Sequence, residues 1–226
     1  MSQSLNIPLI KILVKKDWYL TQKFMALYMG GSIFALSFIS LGEWQFIMGV
    51  TLLMSMVIGM ANHLVSITII NERKEQTLPF IMTLPITPTD YAVAKLIANK
   101  SLFFIPWLAI LIMTIGVFKF TAVPDGLIPL SVILCSYFLL SYCIVWAVGM
   151  TVETEGIVIL VMVVLNCLVG PLIYILGAMP EISSHFQSAT QVWNSASIGV
   201  LALEFSLIIF SLAVAFYLQA RKKTFL

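Results

Sequence analysis

The chain has 226 residues, 61% of them apolar and only 10% charged, with a mean hydropathy of +1.05. Soluble globular domains carry roughly 45–50% apolar and about 25% charged residues, so soluble enzymes, nucleic-acid binders and disordered chains are excluded. Lipid is the solvent for most of this chain, and a net charge of +2 is too small to point to a polyanionic partner.

Residues 1–23 precede the first long apolar run. Over 7–23, Ile10, Leu13, Val14 and Trp18 share one side of a helix and Lys11 and Lys15 the other, which predicts an interfacial helix. Asp17 falls on the apolar side and breaks the pattern. The first basic residue is Lys11 and the apolar run begins only at Phe24, so no cleavable signal peptide is expected.

Charge-free intervals then run over 24–42, 44–71, 101–118, 126–152, 156–180 and 182–220, the last broken only by Glu204. A spanning helix needs about 20 mostly apolar residues. The intervals predict six spans, centred near Ser32, Met56, Ile110, Leu139, Val164 and Ile209, in one all-α transmembrane domain over 1–226. The third interval is short and suffices if its helix begins before the membrane. Cys135, Cys143 and Cys167 all lie inside apolar runs, which reads as small buried hydrophobes rather than a disulfide framework.

Basic residues set the orientation. With the N-terminus inside, six spans return the C-terminus inside, and all of the 12 basic residues but Lys119 fall on the cytoplasmic side. The loops outside are then short: 42–43, 119–125 and roughly 179–197. The inner loop between the fourth and fifth spans is also short, and carries Glu153 and Glu155.

One hydrophilic segment, 71–100, is far longer than the roughly 2–8 residues a plain helix connection needs. Thr77 can cap a helix with Pro79 in its first turn, and Pro85 forbids its continuation. That predicts a two-turn helix over about 78–84 exposing Phe80, Ile81 and Leu84. Thr87-Pro88-Thr89-Asp90 reads as a second start, with Thr87 as N-cap, Pro88 in first position and Asp90 reaching back. The new helix then runs into the third span. An apolar face held below the membrane marks a protein-docking element.

Within this stretch Glu72, Glu75, Thr77-Leu78, Thr83-Leu84-Pro85-Ile86-Thr87 and Val93-Ala94-Lys95 resemble the signature of permeases of type-2 ABC exporters. The predicted span count, inward termini and compact outer loops are similar over essentially the whole chain. The resemblance implies that the loop is a coupling helix docking on a cytoplasmic ABC ATPase, and that two permease subunits, identical or homologous, form the translocation path. Glu75, Thr77, Phe80, Ile81 and Leu84 would couple to the ATPase, with Glu153 and Glu155 as a second contact. ATP and magnesium would belong to that partner, since the sequence holds no G-x-x-x-x-G-K-[ST] phosphate loop. No cofactor or catalytic residue is expected on this chain, and its expected place is a bacterial plasma membrane. The resemblance names no cargo.

Two ionisable groups lie inside predicted spans. His63 is nineteen residues after Trp44 and Glu204 seventeen before Arg221. At 1.5 Å per residue these are about 28 and 25 Å, which places both near the faces of a ~30 Å core as wet interfacial groups. Glu204 is expected to hydrate there, or to meet Ser197 or Gln191 at the subunit seam. His63 and His185 fall on opposite sides, which argues against a metal site. Asn166 and Gly170-Pro171 predict a bend in the fifth span, and with Glu204 they are the candidate pathway or gate residues. The alternative function is an ATP-independent secondary transporter.

Overall fold

The computed structural model describes residues 6–74 and 87–221. Among these residues the chain is all α, and five helices are long and apolar enough to cross a membrane. Helix α1 (Ile7–Phe38) is followed by α2 (Glu43–Val65), which continues through a π-helical turn (Ser66–Ile70) into α3 (Asn71–Lys74). Then come α4 (Pro88–Phe120), α5 (Ile128–Thr151), α6 (Glu155–Cys167), α7 (Val169–Ala178), the short α8 (Pro180–Ser183) and α9 (Ser195–Arg221).

The long helices alternate in direction. At one end, here the base, the Asn6 N–H donates to Asp90 Oδ1 (3.0 Å), Lys74 lies 3.6 Å from Glu155, and Gln219 donates to the Met150 carbonyl. At the other end the Gly126 N–H donates to the Ser188 carbonyl (3.1 Å) and Asn194 to the Glu181 carbonyl.

The five candidate spans are 43–70, 90–120, 125–151, 155–178 and 195–219. The expected span near Ser32 is the outer part of α1, where Phe24–Phe38 follows Lys23 without a break. Its fifteen residues rise only about 22 Å, with Gly30, Gly31, Ser32 and Ser37 among them. The expected interfacial helix 7–23 is the first half of the same α1. Its apolar side covers protein instead of headgroups, with Ile10 and Leu13 packed against Ala94 of α4.

Helix α5 is the buried axis, flanked by α2, α4, α6 and α9. It carries no charge, whereas each of these four neighbours carries at least one. What draws it inward is Ser136, Tyr137 and Tyr142, polar-tipped groups that hydrocarbon cannot satisfy and that bond Glu204 and the Leu165 and Asn99 carbonyls. Tyr142 stacks on Phe103 at 4.1 Å and donates to the Asn99 carbonyl (2.8 Å), while Trp107 of α4 donates to the Cys135 carbonyl (2.7 Å). Helices α6 and α7 have few such groups and expose Leu160, Val163, Tyr174 and Ile175.

Two expected local signals are present. Thr87 accepts from the Asp90 N–H (3.1 Å) and Asp90 from the Thr87 N–H (3.1 Å), a reciprocal cap with Pro88 in the first position. One helix therefore runs from Pro88 through the expected third span, 90–120. The expected fifth span, 155–178, breaks at Leu168 between α6 and α7. Pro171 has no N–H for the Cys167 carbonyl four residues back, which accounts for the break.

Two glycines are fixed by close approach. A Cβ on Gly49 would lie 2.8 Å from the Ala35 carbonyl, where α1 and α2 pack backbone to backbone. One on Gly126 would lie 1.9 Å from the His185 carbonyl. Gly126→Ala must displace the turn 184–188 and break the Gly126–Ser188 bond, at a cost of about 1–3 kcal/mol. Thermal unfolding in detergent checks this, and an unchanged midpoint contradicts it.

Candidate functional site

Helices α1 and α4 and the continuous run α2–α3 have 32–33 residues each, about 48–50 Å. The hydrocarbon core is about 30 Å thick, so each of these three is longer than the core. Their shared extension is at the base, where α3 ends at Lys74 and α4 begins after Thr87.

A compact ionic knot ties this extension together. Lys95 of α4 places its Nζ 2.9 Å from Asp17 Oδ2 and 2.7 Å from Glu72 Oε1. Lys16 bonds the same Glu72 oxygen and stands 3.5 Å from Asp17. Tyr91 donates its hydroxyl to Glu72 Oε2 (2.9 Å). The Lys95 and Asp17 side chains are both 2% exposed. Two cations and two carboxylates thus balance inside the protein, each with hydrogen-bonding partners, as buried charges require.

Position makes the knot. Asp17 lies on the α1 face of Ile10 and Leu13, which is why it spoiled the amphipathic pattern. The π turn at 66–70 inserts an extra residue into the helix and resets the face presented by α3, so that Glu72 meets Lys95 one turn beyond Tyr91. Thr68, inside the π turn, lies 2.7 Å from the Asn99 side-chain amide and donates to the Leu64 carbonyl (2.7 Å).

Local fields divide the carboxyls. Burial alone would raise the Glu72 pKa, but Lys95 and Lys16 outweigh it and hold it below its ordinary 4.5. Burial dominates at Asp17 and, with the charge of Glu72, pushes it above 3.8 against the pull of Lys95. For Lys16 burial lowers the pKa, yet Glu72 and Asp17 raise it above 10.5.

Of the expected coupling residues, Glu75, Thr77, Phe80, Ile81 and Leu84, with the short helix 78–84, lie outside the described residues. Glu153 and Glu155 begin the base side of α6, and Glu155 meets Lys74, the residue directly before that segment. The knot's Lys16, Asp17 and Tyr91 were not singled out from the sequence. Glu72 and Lys95 entered only through the family signature. The available signal was Asp17 itself, an acid on an apolar helix face.

The candidate gate residues divide. Gly170 and Pro171 are exposed and Asn166 half-buried. Glu204 is 4% exposed and accepts from Ser136 of α5, while its Oε1 has no partner. It is therefore buried against α5 rather than wet, and within this chain its partner is Ser136, not Ser197 or Gln191. It lies nine residues into α9, about 13 Å from that helix's start, because the helix begins only at Ser195. The next residue of α5, Tyr137, donates to the Leu165 carbonyl (2.6 Å) beside the broken fifth span. His63 packs against Phe24 and Tyr28 at 4.5 and 5.8 Å, with its Nε2 unpartnered. Lys100 reaches α5, with Nζ 2.8 Å from Cys143 Sγ and above the Tyr142 and Trp146 rings. No protein-family profile, curated protein or solved structure matches this chain.

Proposed function

We propose that this multi-pass membrane protein is a permease subunit of an ATP-driven exporter of the type-2 ABC kind, in a bacterial plasma membrane. In this reading α1 completes six passes, both termini and the base are cytoplasmic, and a second permease subunit completes the path. ATP and magnesium act on a separate ATPase chain. The observation that carries the reading is the ionic knot at the root of 75–86. A force on that segment enters α3 through Lys74 and α4 through Thr87. Lys95, Glu72, Lys16 and Asp17 join both helices to α1, so the three move as one lever and turn the bundle between inward and outward access. Glu155, touching Lys74, makes α6 the second point of contact.

The orientation is directly testable. A cysteine at exposed Ser184 should react with a membrane-impermeant maleimide added outside intact cells, and one at Gln76 should react only after permeabilisation. Outside labelling at Gln76 would overturn the reading.

The buried Glu204 favours one rival, an ATP-independent carrier coupled to protons, since a carboxyl inside a span is a functional candidate. The two readings part on Glu204→Gln, which preserves the acceptor for Ser136 but cannot ionise. The permease reading expects ATP-dependent export from the assembled complex to stay within about twofold of wild type, a change worth less than 0.5 kcal/mol on a scale of about 1.4 kcal/mol per tenfold. Lost export with normal ATP hydrolysis would assign Glu204 a transport role.

A further inference from the structure

Between α2, α4 and α5, in the half of the bundle away from the base, lies a chamber of about 250 Å³. Val50, Leu53, Ile110, Phe118, Leu134 and Phe138 form much of its wall. The polar atoms in the wall are already engaged. Thr114 donates to the Ile110 carbonyl (2.8 Å), Ser131 to the Ile128 carbonyl (2.8 Å), and the Cys135 carbonyl accepts from Trp107 (2.7 Å). The chamber offers an occupant no strong hydrogen bond. Water needs 2–4 polar partners, whereas a dry apolar cavity of roughly 150 Å³ takes up benzene. Left empty, the walls lose dispersion contacts on one side. Hydrocarbon is what fits.

Ile39, Phe46 and Leu127 also line a second cavity of about 580 Å³ at the outer end, which Ser40, Glu43 and Gln187 make polar. Glu43 is the only charged residue in that lining. Lys119, the nearest basic residue in sequence to this end, is held by Asp125 at 2.5 Å. An apolar chamber adjoining a vestibule with one carboxylate has the polarity of an amphiphile with a cationic head.

We propose that chamber and vestibule bind a single-chain alkylamine, its chain among Val50, Leu53, Leu134 and Phe138 and its ammonium group against Glu43 and Gln187. The site goes beyond the permease reading and does not depend on it, because binding to this chain requires no ATPase.

The probe is a long-chain alkylamine with a diazirine in mid-chain, photolysed with the purified full chain in phosphatidylcholine nanodiscs. Crosslinks are mapped by mass spectrometry. Exposed Leu160 and Ile209 report background labelling from the bilayer. Peptides holding Val50–Leu53 and Leu134–Phe138 should label saturably, and excess unlabelled alkylamine should suppress them about tenfold with Leu160 and Ile209 unaffected. Ser131→Phe, which fills the chamber, should have the same effect, and the smaller Ser131→Leu a partial one. Glu43→Gln should remove the preference for the amine over a fatty acid of the same length. Chamber labelling that excess amine does not suppress, or that is equal for amine and acid in the wild type, would overturn the proposal. Because wild-type competition needs no variant to fold, a misfolded Ser131→Phe cannot obscure the result. Saturable labelling without ATPase copurification would leave the site standing and count against the permease reading. The opposite pattern would do the reverse.

Discussion

Lys95→Met is expected to destabilise the fold by about 3–5 kcal/mol, the cost of breaking a buried ion pair from one side. Methionine matches the lysine stem in length, so the packing beside Ala94 and Tyr91 is largely kept and the lost charge dominates. Asp17 and Glu72 would then face each other across the half-exposed Lys16. Adding Asp17→Asn should recover much of the loss, because it removes the carboxyl that burial already biases toward its neutral form. A Lys95→Met protein as stable as wild type in detergent, or a double variant no better than the single, would show that the knot does not hold α1 to α4.

Acid and alkali should loosen the knot through different members. Glu72, with a lowered pKa, contributes stability above its ordinary 4.5 that is lost as pH falls through its folded value. Lys16, with a raised pKa, contributes below 10.5 and loses that contribution as pH rises through its folded value. Asp17, also raised, opposes Glu72. Its contribution is present below 3.8 and disappears as pH rises through the folded value.

What could be read from the sequence was local. Thr87, Pro88 and Asp90 stand within four residues of one another, and their side chains and backbones close the cap the spacing implies. Gly170-Pro171 likewise breaks the fifth span at Leu168 for a reason confined to one helical turn. The knot was out of reach because Asp17 and Lys95 are 78 residues apart, and its register depends on a π turn that no residue in Ser66–Ile70 announces. The cap at Thr87 did place Lys95 and Lys100 on a helix already under way from Pro88, but did not show which groups of other helices they meet. Glu204 was misplaced for a related reason. Counting inward from Arg221 fixes its distance from the base, but its environment is set by Ser136 on a different helix.

The central claim is that 75–86 carries force from an ATPase into the tied helices. It is tested most directly by copurifying the tagged chain from its native membrane and comparing wild type with Ile81→Asp. Ile81 is one of four apolar residues in the segment's proline-bracketed centre, and a carboxylate there opposes burial against any apolar partner surface. A fully buried side chain of this type contributes about 1.5–3 kcal/mol, and burying an unpaired charge in its place costs more. The wild-type chain should bring down a phosphate-loop ATPase in equal stoichiometry, and Ile81→Asp should lose at least about tenfold of it, worth about 1.4 kcal/mol, while membrane insertion and thermal stability stay unchanged. Full ATPase stoichiometry with Ile81→Asp, or a wild-type chain that brings down no ATPase, would contradict the account.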